Sequence, residues 1–525
     1  MPRPAKKGCA LNAYSPPADY DLLDSMADAY DQQPYFSHVF PWSAPGYIRA
    51  AAHLYGIQTP PVARARILEI GCAAGGNCIP IASLYPEAEV VGVDISPAQI
   101  QAGERVIAHA GLDNITLLAQ CFSRLPAALG RFDYIIAHGV WSWVPAAMQQ
   151  ALLRVCQQFL SPRGAAYISY NTYPGWKLQE VFRDAMLFHD AQYNNGTEVE
   201  RAREMIPFFS HGLAAANPLQ EVLRQQARRI PTGVENDYYI AHEYLEPHNH
   251  PLYLHDFVEQ LSCHGLRHVG DVELRLECPA HYGDEFAQHF HLFTQGQKAV
   301  ARQQYLDFAV GRQFRKSLVV HQHAAPEHCL TPDLSRLPEL QFAGWFELQR
   351  QVKDAHEQPV VSFYQDINGQ VHRITEPLHR LWLEYLHGCW PRPVSGRDLL
   401  RLGAQQMPQL DSAQLLTAFK QWFIQLPLNL CRSYEDLPAC LHDLYEGLIP
   451  GIYSLIDLRH QGELPISDYN AWFQSSIAHF TAHERALLGQ LDSGIAPALL
   501  SAQAGVERSE LEEFIATLRK YAIYI

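Results

Sequence analysis

Between residues 66 and 170, five short β-branched runs alternate with helix-length amphipathic segments, and this alternation restricts the chain more than any other feature. The runs lie at 66–70, 89–93, 114–118, 132–137 and 165–170. Between them, 77–84, 97–110 and 145–160 carry apolar residues at three- and four-residue spacing. The last of these ends in Ser161-Pro162-Arg163-Gly164, a stop followed by a turn. Strands separated by helices stack as βαβ units, so the spacing predicts an open α/β fold on a parallel sheet.

The first run opens Ile67-Leu68-Glu69-Ile70-Gly71-Cys72-Ala73-Ala74-Gly75-Gly76-Asn77: a buried strand, a turn of small residues, then a helix start. Small side chains let the backbone approach a ligand while the helix N-terminus offers free N–H groups. Alone, such a turn is also a tight turn with no ligand. The second run ends Val93-Asp94-Ile95-Ser96, which places a carboxylate about 20 residues beyond the turn, where it can accept both hydroxyls of a ribose. A dinucleotide fingerprint wants glycine in the middle of the turn so that pyrophosphate can sit there; here Ala73 holds that place and an acid, Glu69, opens the motif.

Composition narrows the partners. A hydrophobic content of 48% with 18% charged residues belongs to a folded globular chain, and 525 residues exceed what one core usually supports. The net charge of -15 disfavours a nucleic-acid backbone as the main partner. No apolar stretch is long enough for a membrane span or a secretory leader, and the 11 cysteines are scattered and odd in number, so the expected compartment is the cytoplasm. The histidine groups 242–255 and 321–328, the latter ending beside Cys329, fit no metal-site spacing; no metal is expected.

The acid at the head of the turn, the Asp94 strand end, the Phe132-Asp133-Tyr134-Ile135 run and the fifth strand after Gly164 resemble, in that order, the landmarks of class I S-adenosylmethionine-dependent methyltransferases. Further strings are similar to the bacterial members that carry a methyltransferase regulatory domain, the group that includes the rickettsial-type protein-lysine methyltransferases. They are Tyr30-Asp31-Gln32-Gln33-Pro34-Tyr35, Gly71 to Asn77, Ala137-His138-Gly139-Val140-Trp141-Ser142-Trp143, Tyr170-Asn171-Thr172-Tyr173-Pro174-Gly175-Trp176 and His242-Glu243-Tyr244-Leu245-Glu246. The resemblance implies a Rossmann-like α/β catalytic domain with a helical insertion, plus mainly helical middle and C-terminal domains. The expected divisions are a cap segment at 1–60, the catalytic core at 61–176, a dimerising helical insertion at 177–240, completion of the core with the regulatory region at 241–325, and an α-rich, winged-helix-like domain at 326–525. A proline-bearing linker at 321–338 marks the last boundary; 297–318 and 434–448 read as helices.

The resemblance carries the cofactor S-adenosylmethionine to Tyr30, Tyr35, Glu69, Gly71, Cys72, Ala73, Gly75, Asn77, Asp94, Ile95 and His138. After the third strand many relatives place an acid against adenine; this chain has Gln120-Cys121, whose amide can still bond the adenine edge. For catalysis the candidates are His138, Tyr170, Asn171, Tyr173 and Trp176, all at or just past strand ends, the edge where open α/β sheets place ligands. Aromatic faces there suit a sulfonium and an amine, or else Trp141, Trp143 and Trp176 simply cover the sheet. His138 is either a general base or a structural histidine. Three functions remain open: methylation of protein lysines, methylation of a peptide natural product or small molecule, and a non-catalytic scaffold that senses the cofactor. The expected partners are a protein or peptide substrate and a second copy of the chain, with no nucleic acid and no membrane.

Overall fold

The computed structural model describes residues 31, 34–193, 196–211, 218–233, 237–326, 330–426, 428, 430–442, 445–461, 466–475, 480–504 and 506–525. Its centre is a seven-stranded sheet of β1 (Arg66–Ile70), β2 (Glu89–Asp94), β3 (Ile115–Ala119), β4 (Phe132–Ala137), β5 (Leu160–Asn171), β6 (Leu266–Asp271) and β7 (Phe314–His321), in the order β3-β2-β1-β4-β5-β7-β6. β1 to β5 pair in parallel, while β7 runs antiparallel to both β5 and β6. The central strands are buried on both faces because their residues alternate between two cores: in β1, Ile67 joins one and Leu68 and Ile70 the other.

The crossover helices form where the sequence carries start and stop signals. Helix Pro97–Ala110 has Pro97 at its first position, the Ser96 hydroxyl accepting the Gln99 N–H at 3.2 Å, and left-handed Gly111 at its end. Its bounds are those the sequence predicts. Residues 297–318, expected as one helix, divide into helix Ala299–Val310 and strand β7, because Gly311 takes a left-handed φ of 63° and reverses the chain. The insertion is helical as expected. Helices Trp176–Asp190, Glu198–Ser210 and Pro218–Ala227 pack around a separate apolar cluster that includes Phe182, Met186 and Ile206.

Two expectations for the C-terminal third change. Among the described residues of 434–448 there is no helix beyond the short turn Ala439–Leu441, since Pro438 interrupts the pattern. This region also holds strands: Phe346–Lys353, Pro359–Asp366 and Val371–Ile374 form one antiparallel sheet, and Gln341–Ala343, Val394–Ser395 and Cys431–Ser433 another. The described part of the expected linker packs against the first half of the chain: the Asp333 N–H donates to the Leu54 carbonyl at 2.7 Å and Arg336 to the His53 carbonyl at 2.6 Å. One apolar core runs without a seam from helix Pro45–Leu54 and the inner sheet face into Trp382, Trp422, Leu455 and the last residue, Ile525.

Candidate active site

All five parallel strands deliver residues to one place. A cavity of about 460 Å³ lies over their carboxyl ends, within the usual range of about 300–1,000 Å³ for small-molecule sites. Its floor is Glu69 and Gly71 from β1, Asp94 from β2, Gln120 and Cys121 after β3, His138 and Gly139 after β4, and Asn171 at the end of β5; Gln313 and Phe314 close it from β7.

The glycine-rich turn is shaped for close approach. Gly71 has φ 71°, and an added Cβ would meet Val140 Cγ2 at 2.6 Å; Ala73 is itself left-handed, at φ 48°. Asp94 fixes this turn through Oδ2, which accepts the Ala73 N–H at 2.8 Å, while Oδ1 accepts the Ser96 N–H at 3.0 Å. Each oxygen keeps a lone pair for a further donor. Burial raises the Asp94 pKa against the pull of these backbone donors. Glu69 is 3% exposed, accepts Asn77 Nδ2 at 3.0 Å and the Cys78 thiol at 2.8 Å, and is pushed up to about 7 by burial.

A strap from the N-terminal region covers the turn. The Ser37 hydroxyl accepts the Gly76 N–H at 2.8 Å, the Phe40 N–H donates to Asn77 Oδ1 at 3.2 Å, and the Phe40 ring stacks on His138 at 3.8 Å. Asp31 accepts from the Ser96 hydroxyl, and Tyr35 lines the cavity. Tyr30 lies outside the described residues.

Most sequence candidates converge on this cavity: Tyr35, Glu69, Gly71, Cys72, Ala73, Asn77, Asp94, Ile95, Gln120, Cys121, His138, Asn171 and Trp176 all line it. Three do not. Tyr170 is fully buried in the outer core against Phe257, because its position in β5 points it into that face. Tyr173 turns away, its hydroxyl donating to Glu180 and its ring lying under Lys177 Nζ at 4.0 Å. Gly75 serves the turn from behind, where an added Cβ would meet Ile79 and Leu117. Of the tryptophans, Trp141 is core, whereas Trp143 and Trp176 meet edge to face at the cavity with ring centres 6.4 Å apart.

The surroundings of His138 make it a weak base. Its Nδ1 pairs with the Tyr167 hydroxyl at 2.9 Å, and burial with nearby Lys316 drives its pKa down to about 3, so the ring stays neutral. Another wall is formed by residues with no site role expected from the sequence, although the 242–246 string carries the family resemblance: Tyr239, His242, Glu243 and Glu246 reach the cavity from the end of the helical insertion and the segment after it. Among the described residues, four carboxylates (Glu69, Asp94, Glu243 and Glu246) line the cavity and no lysine or arginine does. Such a cavity suits cationic ligands and repels phosphates.

The sheet order, the antiparallel seventh strand and an acid at the ends of β1 and β2 define a class I methyltransferase domain. Residues 67–164 match the family described as a methyltransferase domain, and residues 236–321 the family described as a predicted methyltransferase regulatory domain. Protein RP028 of Rickettsia prowazekii is 37% identical over 234 residues, 44% of this chain and 93% of that protein. Protein RP789 of the same organism is 35% identical over 294 residues, 56% of this chain but only 52% of its relative, so the match spans about half of RP789. The fold follows that of PKMT2 from Rickettsia typhi, solved in complex with AdoHcy, with a TM-score of 0.75 at 23% identity, covering 94% of this chain and 100% of that one. The chain belongs to the S-adenosylmethionine-dependent methyltransferases that carry a methyltransferase regulatory domain. No helix among the described residues is long and apolar enough to cross a membrane.

Proposed function

We propose that this enzyme methylates the side-chain amine of lysine in a protein or peptide. The observation that carries the reading is the charge of the cavity: four carboxylates and no lysine or arginine among its described lining residues favour a sulfonium cofactor beside a cationic acceptor, and disfavour a phosphate-bearing one. The name of the structural neighbour, PKMT2, agrees with a protein-lysine acceptor.

S-adenosylmethionine supplies an electrophilic methyl group on a sulfonium. In this assignment Asp94 binds the ribose hydroxyls, Glu69 faces the amino-acid end, and Gln120 with Cys121 borders the adenine. Gly71 and Ala73 fit this role because the turn keeps bulk out of the cavity. Asn171 and Trp176 stand on the acceptor side. Asn171 is 3% exposed with Nδ2 unpartnered, and the Trp176 indole N–H is likewise unpartnered. Buried polar groups of this kind are costly unless a ligand completes them. Alignment and exclusion of water then carry the rate, as displacement at a methyl carbon needs an in-line nucleophile.

The helical insertion is assigned to self-association. It leaves Phe188 69%, Phe208 67% and Leu219 60% exposed, more apolar surface than a solvated bundle needs. Sedimentation of Phe188→Glu with Phe208→Glu should give a monomer where the native chain gives a dimer.

The acceptor is tested by incubating the full chain and methyl-labelled cofactor with cell extract before and after chemical blocking of lysines. Label in protein that disappears on blocking supports the reading. Equal transfer to both defeats it, and label only in the low-mass fraction points to a small-molecule acceptor.

A further inference from the structure

Among the described residues, Glu243 is the one carboxylate of the cavity without a hydrogen-bond or ion-pair partner. It lies on the π-helical turn Ala241–Leu245, inside the regulatory-domain segment 236–321, and lines the same cavity as Asp94 and Asn171. The other three acids are engaged: Glu69 by Asn77 and Cys78, Asp94 by two backbone N–H groups, and Glu246 by His242 Nδ1 at 2.9 Å. Among the described residues no side chain or backbone group bonds Glu243. An acid held in this way at a cavity wall is costly unless a cation arrives to meet it.

We propose that Glu243 is a catalytic residue of the methyl transfer, binding the incoming amine as its ammonium and taking a proton from it. The proposal rests on the amine-acceptor reading above. An ammonium has no lone pair, so the step begins with transfer of one N–H proton to a Glu243 oxygen, leaving a neutral amine. The nitrogen lone pair then forms the N–C bond as the methyl–sulfur bond breaks, with that electron pair staying on sulfur. The methylated nitrogen carries the positive charge, and Glu243 gives its proton to water when the product leaves.

The surroundings fit the task. Tyr35 of the strap and Tyr239 and Tyr244 of the same segment face Glu243, His242 and Glu246 are already paired with each other, and among the described residues no lysine or arginine lines the cavity. Burial with no compensating cation pushes Glu243 up to about 7, a value matched to proton transfer near neutrality. The same apolar, aromatic surroundings lower the pKa of a lysine amine from its usual value of about 10.4, which narrows the gap the proton must cross. The rival base, His138, is held neutral at about 3. Glu69 has a similar pKa but is bound to its two donors in the floor of the turn.

The test uses the full-length enzyme, methyl-labelled cofactor and poly-L-lysine as acceptor. Glu243→Gln should lower kcat at pH 7.5 by about 100-fold, the usual scale for a general base. Its affinity for S-adenosylhomocysteine, measured by calorimetry, should stay within about twofold, since a lost partner of the amine is not a lost partner of the cofactor. In the native enzyme at saturating cofactor, log kcat/KM for poly-L-lysine should rise with pH through a midpoint near 7, a limb that Glu243→Gln loses and Glu243→Asp keeps at a lower rate. A native rate and an unchanged limb in Glu243→Gln overturn the assignment. Should Glu243→Gln lose cofactor binding, the limb in Glu243→Asp decides: one that stays at the native midpoint with the native rate overturns it. Native enzyme that labels lysine-blocked protein or low-mass compounds but not poly-L-lysine defeats the amine reading itself, and the role of Glu243 falls with it.

Discussion

Ser467 donates its backbone N–H to the Ser37 carbonyl at 2.9 Å, and its hydroxyl accepts the Val39 N–H at 3.2 Å. The adjoining Ile466 pairs with Ser37 as an isolated bridge. The same Ser37 holds Gly76 of the glycine-rich turn through its hydroxyl. A residue of the C-terminal third thus fastens the strap that roofs the glycine-rich turn.

Ser467→Ala removes the Val39 bond and should weaken cofactor binding about fivefold, the equivalent of one hydrogen bond of about 1 kcal/mol. Gly76→Ala should do more, at least about tenfold, because the new Cβ would stand 2.4 Å from the Ser37 carbonyl oxygen and must push the strap away. Calorimetric titration of both variants measures the effect. Native affinity in folded Gly76→Ala means the strap adds nothing to binding.

Asp94→Ala should cost at least about 1.5 kcal/mol of S-adenosylmethionine affinity, the scale of losing charged hydrogen bonds to two hydroxyls. Since Asp94 also holds the Ala73 N–H, part of the loss comes through the turn. Asp94→Asn separates the parts, as its amide oxygen can keep the turn bond. Unchanged calorimetric affinity in either folded variant removes Asp94 from the ribose role.

Glu69 links binding and stability to pH with opposite signs. Its folded pKa of about 7 lies above the ordinary carboxylate value, so the folded state holds the extra proton and this group's cost to stability grows as pH rises toward 7, then levels off. Glu69→Gln should therefore stabilise the free enzyme at pH 8, by an amount on the order of 1–3 kcal/mol, and gain little at pH 4. Cofactor binding to the ionised form should weaken about tenfold in the native enzyme from pH 8 to pH 6, and stay weak and flat in Glu69→Gln. Thermal melts and titrations at both pH values check the two halves separately.

A fragment ending at residue 325 should aggregate. From the sequence, the proline-bearing stretch reads as a linker between independent domains, but the shared core would leave Ile48, Tyr85 and Tyr134 without Phe342, Leu441 and Tyr469 over them. Expression and size-exclusion chromatography decide this: a soluble, cofactor-binding fragment would show the two parts to be separable.

The sequence was most legible where local chemistry decides the structure. Strands 66–70 and 132–137 and helix 97–110 have the bounds their patterns predict, since each is punctuated by Pro, Gly or Ser. Strand β7 was hidden because the apolar residues of 314–320 extend a helical pattern, and only the Gly311 turn breaks it. In the site, the floor follows from strand ends that carry the turn and the acid. Tyr170 was misplaced by a strand's alternation: Asn171, one residue on, takes the cavity side while Tyr170 takes the core. Glu243 could not be found by spacing, since the fold alone carries the segment after the insertion back over the sheet edge.

The Ser37 bridge also sets an order in time. A chain emerging from the ribosome can lay down β1 to β5 and shape the glycine-rich turn long before residue 466 exists, yet the strap has no anchor until that residue appears. The site over the turn therefore closes only after residue 466 has been made, and nascent chains that stall earlier carry the parallel strands without a secured roof.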